Sequence, residues 1–211
     1  MGRFESERKD LIALLESKGI SDPAVLGAMG SVERHLFVEP AFINRAYEDS
    51  ALPIGHEQTI SQPYTVAFMT QALGSKKGDK VLEVGTGSGY QAVILAAMGC
   101  RVFTIERHLG LLAEARKIFD RMKLRIASKG GDGTIGWKEF APFDGIIVTA
   151  GAPEIPEALK QQLADGGKLV IPVGDRDVQK VVIMKRVGDS YQTEETYGFK
   201  FVPLVGKNGW S

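Results

Sequence analysis

Two carboxylates and a run of alternating glycines mark the stretch best suited to hold a ligand. Val81-Leu82-Glu83-Val84 reads as a buried strand, Gly85-Thr86-Gly87-Ser88-Gly89 as a tight turn, and Tyr90 as the start of a helix that Gln91–Met98 continues. Glycines at alternate positions let the backbone approach a ligand closely, and a helix N-terminus presents unpaired N–H groups to it. The turn lacks the Gly-Lys-Ser/Thr ending of a phosphate-binding loop. Tyr90 stands where a nicotinamide fingerprint needs glycine. Glu83, just before the turn, suits a ligand carrying an ammonium group rather than a pyrophosphate. The next strand, Arg101–Ile105, ends in Glu106, where a carboxylate can accept hydrogen bonds from both hydroxyls of a ribose. Further on, Asp132 of Gly131-Asp132-Gly133 either faces an adenine amino group or closes a plain turn.

The elements that must position these residues follow from hydrophobic spacing. A first helix is expected over Glu7–Lys18 and ends at Gly19. A second starts at Asp22-Pro23, with Asp22 as N-cap, and Pro40 opens a short helical segment towards Tyr47. Residues Glu48–Pro63 form a long, weakly periodic loop with two prolines, the kind of segment that often carries function. A helix over Tyr64–Leu73 follows, and on local pattern alone Ser61 reads as its cap. Strands are expected over Lys80–Val84, Arg101–Ile105, Leu124–Ala127, Phe143–Thr149 and Lys168–Pro172. Helices over Gln91–Met98, Leu109–Met122 and Ile155–Leu163 alternate with them. Two last strands, Val178–Val187 and Tyr191–Val202, are joined by a Gly188-Asp189-Ser190 turn. The fold class is therefore α/β: a Rossmann-like, doubly wound, mostly parallel sheet with antiparallel C-terminal strands and an N-terminal helical extension. One domain is expected over 1–211, with 1–75 as helical cap and substrate loop and 76–211 as cofactor-binding core. The ligand belongs at the carboxyl ends of the first two long strands.

With Glu83 and Glu106 in register, the glycine turn resembles the S-adenosylmethionine site of Rossmann-like methyltransferases. Composition narrows the partners. Among 211 residues, 44% are apolar and 25% charged, as in ordinary globular proteins. Lys+Arg and Asp+Glu number 26 each, so no overall charge draws the chain to nucleic acid. The one cysteine, Cys100, excludes an internal disulfide. No apolar run is long enough for a bilayer, and the charged Met1–Glu7 stretch has no signal-peptide core. No membrane partner and a cytoplasmic location are expected. His35, His56 and His108 match no zinc spacing, so no metal is expected. Amine methylation of DNA usually needs an Asn/Asp-Pro-Pro-aromatic motif, and Thr149-Ala150-Gly151-Ala152 stands in its place. Cys100 sits at the wrong end of a helix for a cytosine C5 nucleophile.

A longer set of segments resembles the signature of the protein-L-isoaspartate (D-aspartate) O-methyltransferase family. It comprises Asp49-Ser50-Ala51-Leu52-Pro53-Ile54-Gly55, Gln58-Thr59-Ile60-Ser61-Gln62-Pro63, Leu82–Gln91, Gly131-Asp132-Gly133, Pro142-Phe143-Asp144 and Phe201-Val202-Pro203-Leu204. The match runs through nearly the whole chain in order. Glu33 departs from it where the family often has proline, and Glu57 where glycine is common. The resemblance implies methyl transfer from S-adenosyl-L-methionine to the α-carboxylate of isoaspartyl residues in damaged peptides and proteins, giving S-adenosyl-L-homocysteine and starting repair through a succinimide. It implies Ser61 as the active-site residue, orienting the acceptor carboxylate. Thr59, Ile60, Glu83, Gly85, Thr86, Gly87, Ser88, Gly89, Glu106, Asp132 and Gly133 would bind the cofactor. Leu52, Pro53, Ile54, Val202, Leu204 and Val205 would frame the peptide. Such a reaction needs no general base, because an α-carboxyl with an ordinary pKa of about 3.3–3.7 is already ionised at neutral pH. Another methyltransferase on the same scaffold, or a protein that only senses the cofactor, is the alternative that fold alone leaves open.

Overall fold

The computed structural model describes residues 2–210, Tyr197 by its backbone alone; Met1 and Ser211, the ends of the expected domain, lie outside them. Helix α1 spans Arg3–Ser17 and α2 Pro23–Ser31, followed by 3-10 turns at Arg34–Phe37 and Pro40–Arg45. Asp22 caps α2, its carboxylate accepting from the amides of Ala24 and Val25. Helix α1 begins four residues earlier than the apolar spacing suggests, because Arg3 and Glu7 pair across one turn at 2.7 Å.

The expected loop at 48–63 contains a small hairpin, β1 (Leu52–Pro53) and β2 (Thr59–Ile60), paired antiparallel. Each strand has only two residues, too short for alternation to announce it. Helix α3 follows at Pro63–Leu73, then β3 (Lys80–Val84), α4 (Tyr90–Ala97), β4 (Arg101–Glu106), α5 (Leu109–Arg121) and β5 (Ala127–Gly130). The chain continues through β6 (Phe143–Val148), α6 (Glu157–Gln161), β7 (Leu163–Gly174), β8 (Gln179–Val187) and β9 (Ser190–Phe199).

The main sheet has the order β5-β4-β3-β6-β7-β8-β9. Strands β5 to β7 run parallel, and β8 and β9 are antiparallel. The connection reverses direction between β3 and β6, so a crevice opens at the carboxyl ends of these strands. Central strands in such a sheet are covered on both faces. Accordingly Val81, Leu82, Ile146, Ile147, Val170 and Ile171 are all fully buried. Each such side chain contributes about 1.5–3 kcal/mol on leaving water.

Several boundaries differ from expectation: β7 starts at Leu163 rather than Lys168, Leu163 pairing with Phe143 ahead of a register shift, and three others differ for local reasons. Lys123 takes φ +55° and the Leu124 amide closes on Phe119 of α5, so Leu124–Ile126 approach the sheet as a packed loop and β5 starts at Ala127. Helix α6 stops at Gln161 because Gln162 accepts the Phe143 amide and Leu163 already pairs with Phe143 in the sheet. The last strand ends at Phe199 rather than Val202, since the Gln179 side chain takes the Phe201 amide in place of a ladder bond. Helix α3 packs on β6, β7 and β8, and one apolar cluster joins Leu11 and Val25 to Val66, Val81, Ile147 and Val170.

Candidate active site

The crevice is a cleft open to solvent at its mouth. Several backbone segments and one face of α3 wall it. The glycine turn contributes Gly85, Thr86, Gly87 and Ser88. Gly85 has φ +99°, and a Cβ there would stand 2.4 Å from Thr149 Oγ1, which donates to the Gly85 carbonyl at 2.7 Å. This position therefore accepts only glycine. Gly89, the N-cap of α4, has φ +87° and would drive a Cβ to 2.8 Å from the Phe119 ring. It serves the packing of α4 against α5 and does not line the cleft.

Glu106 stands at the end of β4 in the cleft wall, 5% exposed. Its Oε2 accepts the Gly87 amide and its Oε1 the His108 amide, both at 2.9 Å. The carboxylate is thereby fixed, and each oxygen keeps a second lone pair for a ribose hydroxyl.

Glu83 is set back from the cleft, which corrects the expectation that its carboxylate meets the ligand directly. It is fully buried within the sheet layer. Thr104 Oγ1 donates to its Oε2 at 2.5 Å, and Thr104 in turn shares a 2.6 Å hydrogen bond with Thr86. The second oxygen, Oε1, has no partner among the described residues. Burial, reinforced by the charge of Glu106, pushes its pKa up to about 8. Glu83 thus supports Thr86 from beneath, and Thr86 reaches the cleft in its place.

Asp132 follows the plainer of its two readings. Its Oδ1 accepts from the Thr134 amide and hydroxyl at 2.8 and 2.7 Å, an Asx turn. Its Oδ2 accepts the Lys207 amide at 2.8 Å and so latches the C-terminal segment. Burial alone would raise the Asp132 carboxyl, but these hydrogen bonds hold it below its ordinary value. The neighbouring Gly133, not Asp132, lines the cleft.

Opposite elements complete the wall. The return strand of the hairpin brings Gln58, Thr59, Ile60 and Ser61. Ser61 is half-buried, and its hydroxyl makes no hydrogen bond within the described residues. It does not cap α3: the N-cap is Gln62, whose side chain makes no capping bond. Leu52, Pro53 and Ile54 do not line the cleft itself. Leu52 is buried in the core, Pro53 is exposed, and Ile54 lies over the outer side of the Gly87 turn. The C-terminal segment does line it, through Phe201, Val202, Leu204 and Val205. This segment is stitched to Gly151: the Gly151 amide donates to Val202, and its carbonyl accepts from Leu204, both at 2.7 Å, and from Trp210 Nε1 at 3.0 Å.

Sequence reasoning missed Thr65 in α3, Val66 and Met69, whose helical spacing marked them only as the apolar side of α3, and Arg107 and His108, which follow Glu106. Among the described residues, no group of three His, Cys, Asp or Glu side chains is placed to hold a metal. The glycine turn and the fixed Glu106 fit a nucleoside-bearing ligand.

A family model described as protein-L-isoaspartate(D-aspartate) O-methyltransferase matches residues 6–209. A protein-L-isoaspartate O-methyltransferase from Chlorobaculum tepidum is 52% identical, over 97% of this chain and 97% of its own. One from Salinibacter ruber is 49% identical, over 98% of this chain and 94% of its own. A Plasmodium falciparum structure described as a protein-L-isoaspartate O-methyltransferase in complex with S-adenosyl-L-homocysteine superposes with a TM-score of 0.81, at 27% identity, covering 94% of this chain and 98% of that one.

Proposed function

The chain belongs to the protein-L-isoaspartate(D-aspartate) O-methyltransferase family, and from that premise we propose how its residues divide the work. The enzyme transfers a methyl group from S-adenosyl-L-methionine to the α-carboxylate of L-isoaspartyl residues in peptides and proteins. When bound, the cofactor supplies a methyl group on a positively charged sulfur; transfer to a carboxylate oxygen leaves a methyl ester and a neutral thioether. The ester then closes to a succinimide more readily than the free carboxylate does.

The observation that carries the residue roles is the unengaged Ser61 hydroxyl in the same cleft as the glycine turn and Glu106. In our reading Ser61 donates a hydrogen bond to one oxygen of the acceptor and orients the other. Thr59 and Ile60 cover the cofactor from the hairpin side. Gly85 to Ser88 hold its amino-acid portion, Glu106 its ribose, and Gly133 borders its base. Glu83, Gly89 and Asp132 act one layer behind, as supports of that wall. Val202, Leu204 and Val205 offer backbone and apolar surface to an extended peptide, a mode largely indifferent to sequence, while Leu52 to Ile54 hold the hairpin. The acceptor arrives ionised and the donor arrives cationic, so alignment and exclusion of water suffice.

We further propose that D-aspartyl residues are accepted, that the enzyme works in the cytoplasm, and that neither nucleic acid nor membrane is a partner. Equal numbers of acidic and basic residues support the last point, and no helix among the described residues is long and apolar enough to cross a membrane. The test uses methyl-labelled cofactor and two peptides differing only in one L-isoaspartyl or L-aspartyl residue. Base-labile label on the isoaspartyl peptide alone is expected. In the same assay Ser61→Ala should lower turnover about 100-fold, the loss typical of one preorganised donor. Equal labelling of both peptides, or an Ser61→Ala variant as active as the parent, contradicts the reading.

A further inference from the structure

Asp49 lies outside the cleft wall, and nothing in the chemistry above uses it. Its side chain is 7% exposed. Oδ1 accepts the Tyr64 amide at 2.8 Å, while Oδ2 accepts from Gln62 Nε2 at 3.0 Å and from Lys18 Nζ at 2.6 Å. Tyr64 stands in the first turn of α3, which has no cap from its own neighbours. A carboxylate 15 residues upstream therefore performs the capping that a Ser or Asp at Gln62 would normally perform.

The consequence falls on Ser61. On one side it continues β2, whose Thr59 and Ile60 pair with Pro53 and Leu52. On the other it meets Gln62, held by Asp49. The residue is thus pinned between a hairpin and a remotely capped helix. Asp49 is itself held from within. Arg34, fully buried, donates from Nε to the Ala46 carbonyl at 2.8 Å and from Nη2 to the Ser50 carbonyl at 3.4 Å. Its guanidinium lies 5.0 Å from the ring centre of Tyr90, which lines the cleft. Arg34 and Lys18 thereby fix the 46–50 segment, and the segment presents its carboxylate to α3.

We propose that Asp49 is the positioning residue of the active site: by tying Gln62 and the Tyr64 amide it sets the Ser61 hydroxyl against the glycine turn, with Arg34 as its anchor. This rests on the reading of Ser61 as the acceptor-orienting group. The experiment compares Asp49→Ala, Asp49→Asn, Ser61→Ala and the double variant Asp49→Ala/Ser61→Ala on an isoaspartyl peptide. Affinity for S-adenosyl-L-homocysteine is measured by calorimetry on each. Asp49→Ala should lower kcat about tenfold while affinity for S-adenosyl-L-homocysteine stays within about twofold. Asp49→Asn keeps an oxygen for the Tyr64 amide and should lose less. In the Ser61→Ala background, removing Asp49 should cost little more, because the two act as a unit.

A kcat loss of the same size in both backgrounds, or parallel loss of kcat and of S-adenosyl-L-homocysteine affinity, overturns the proposal in favour of general support. If Ser61→Ala loses turnover while Asp49→Ala keeps it, the proposal falls and the reading of Ser61 stands. Full activity of Ser61→Ala overturns both. Should Asp49→Ala fail to fold, Asp49→Asn alone and combined with Ser61→Ala carries the same comparison.

Discussion

A carboxyl buried without a cation has to keep its proton, and Glu83 shows what that entails. Its pKa in the fold is about 8, against an ordinary value of 4.5. Between these values the unfolded chain gives up a proton that the folded chain retains. Stability therefore falls as pH rises through the window from about 4.5 to 8. Glu83→Gln, which resembles the neutral acid in shape, has nothing to titrate there. Its urea midpoint relative to the parent should improve from pH 5 to pH 8; parallel midpoints would contradict the assignment. Residue types at this scale were largely legible. The glycine turn, Glu106 and Ser61, singled out by type, line one cleft. Depth was not legible. Glu83 and Asp132 were assigned to the ligand because their types suit it, whereas the fold spends both on supports. Asp49 was invisible as a cap because local patterns extend three or four residues, and it acts across 15.

At the scale of elements, the hairpin between β1 and β2 is the part that pattern could not reveal. Its tip carries two consecutive residues other than glycine at positive φ, His56 at +51° and Glu57 at +57°. Such a conformation costs a residue with a Cβ roughly 1–2 kcal/mol. A glycine at this position would avoid that cost. The tip nevertheless holds its place: the His56 ring lies 5.5 Å from that of His108, centre to centre, at the start of α5. Glu57→Gly should raise stability by about 1 kcal/mol or somewhat less, since glycine also gains freedom in the unfolded chain. Urea denaturation checks it, and a lower midpoint would contradict the strain argument. The long elements were legible because their periods repeat several times. Errors gathered at β5, α6 and β9, where a side chain or a packed loop replaces the last regular backbone bond.

At the scale of the whole molecule, the stretch 1–75 and the stretch 76–211 share one interior. Val25 in α2 and Val170 in β7 are both fully buried in one continuous cluster. We propose that the chain unfolds as one cooperative unit. Val25→Ala and Val170→Ala should each cost about 2 kcal/mol and shift the same single calorimetric transition, with calorimetric and van't Hoff enthalpies equal. Two separate transitions, with each variant moving a different one, would contradict this. The cooperative interior matters for function because the site is assembled from distant parts of the chain. The hairpin, α3, the β3 turn, the end of β4 and the C-terminal segment all meet at one cleft.

This assembly aligns an acceptor already ionised in solution and supplies no base. The pH dependence of kcat/KM on an isoaspartyl peptide decides this. A flat profile from about pH 5 to 7 is expected, since an α-carboxyl ionises at about 3.3–3.7. A rate rising tenfold per pH unit in that range, and made flat by replacing a group in the cleft wall such as His108, would contradict it.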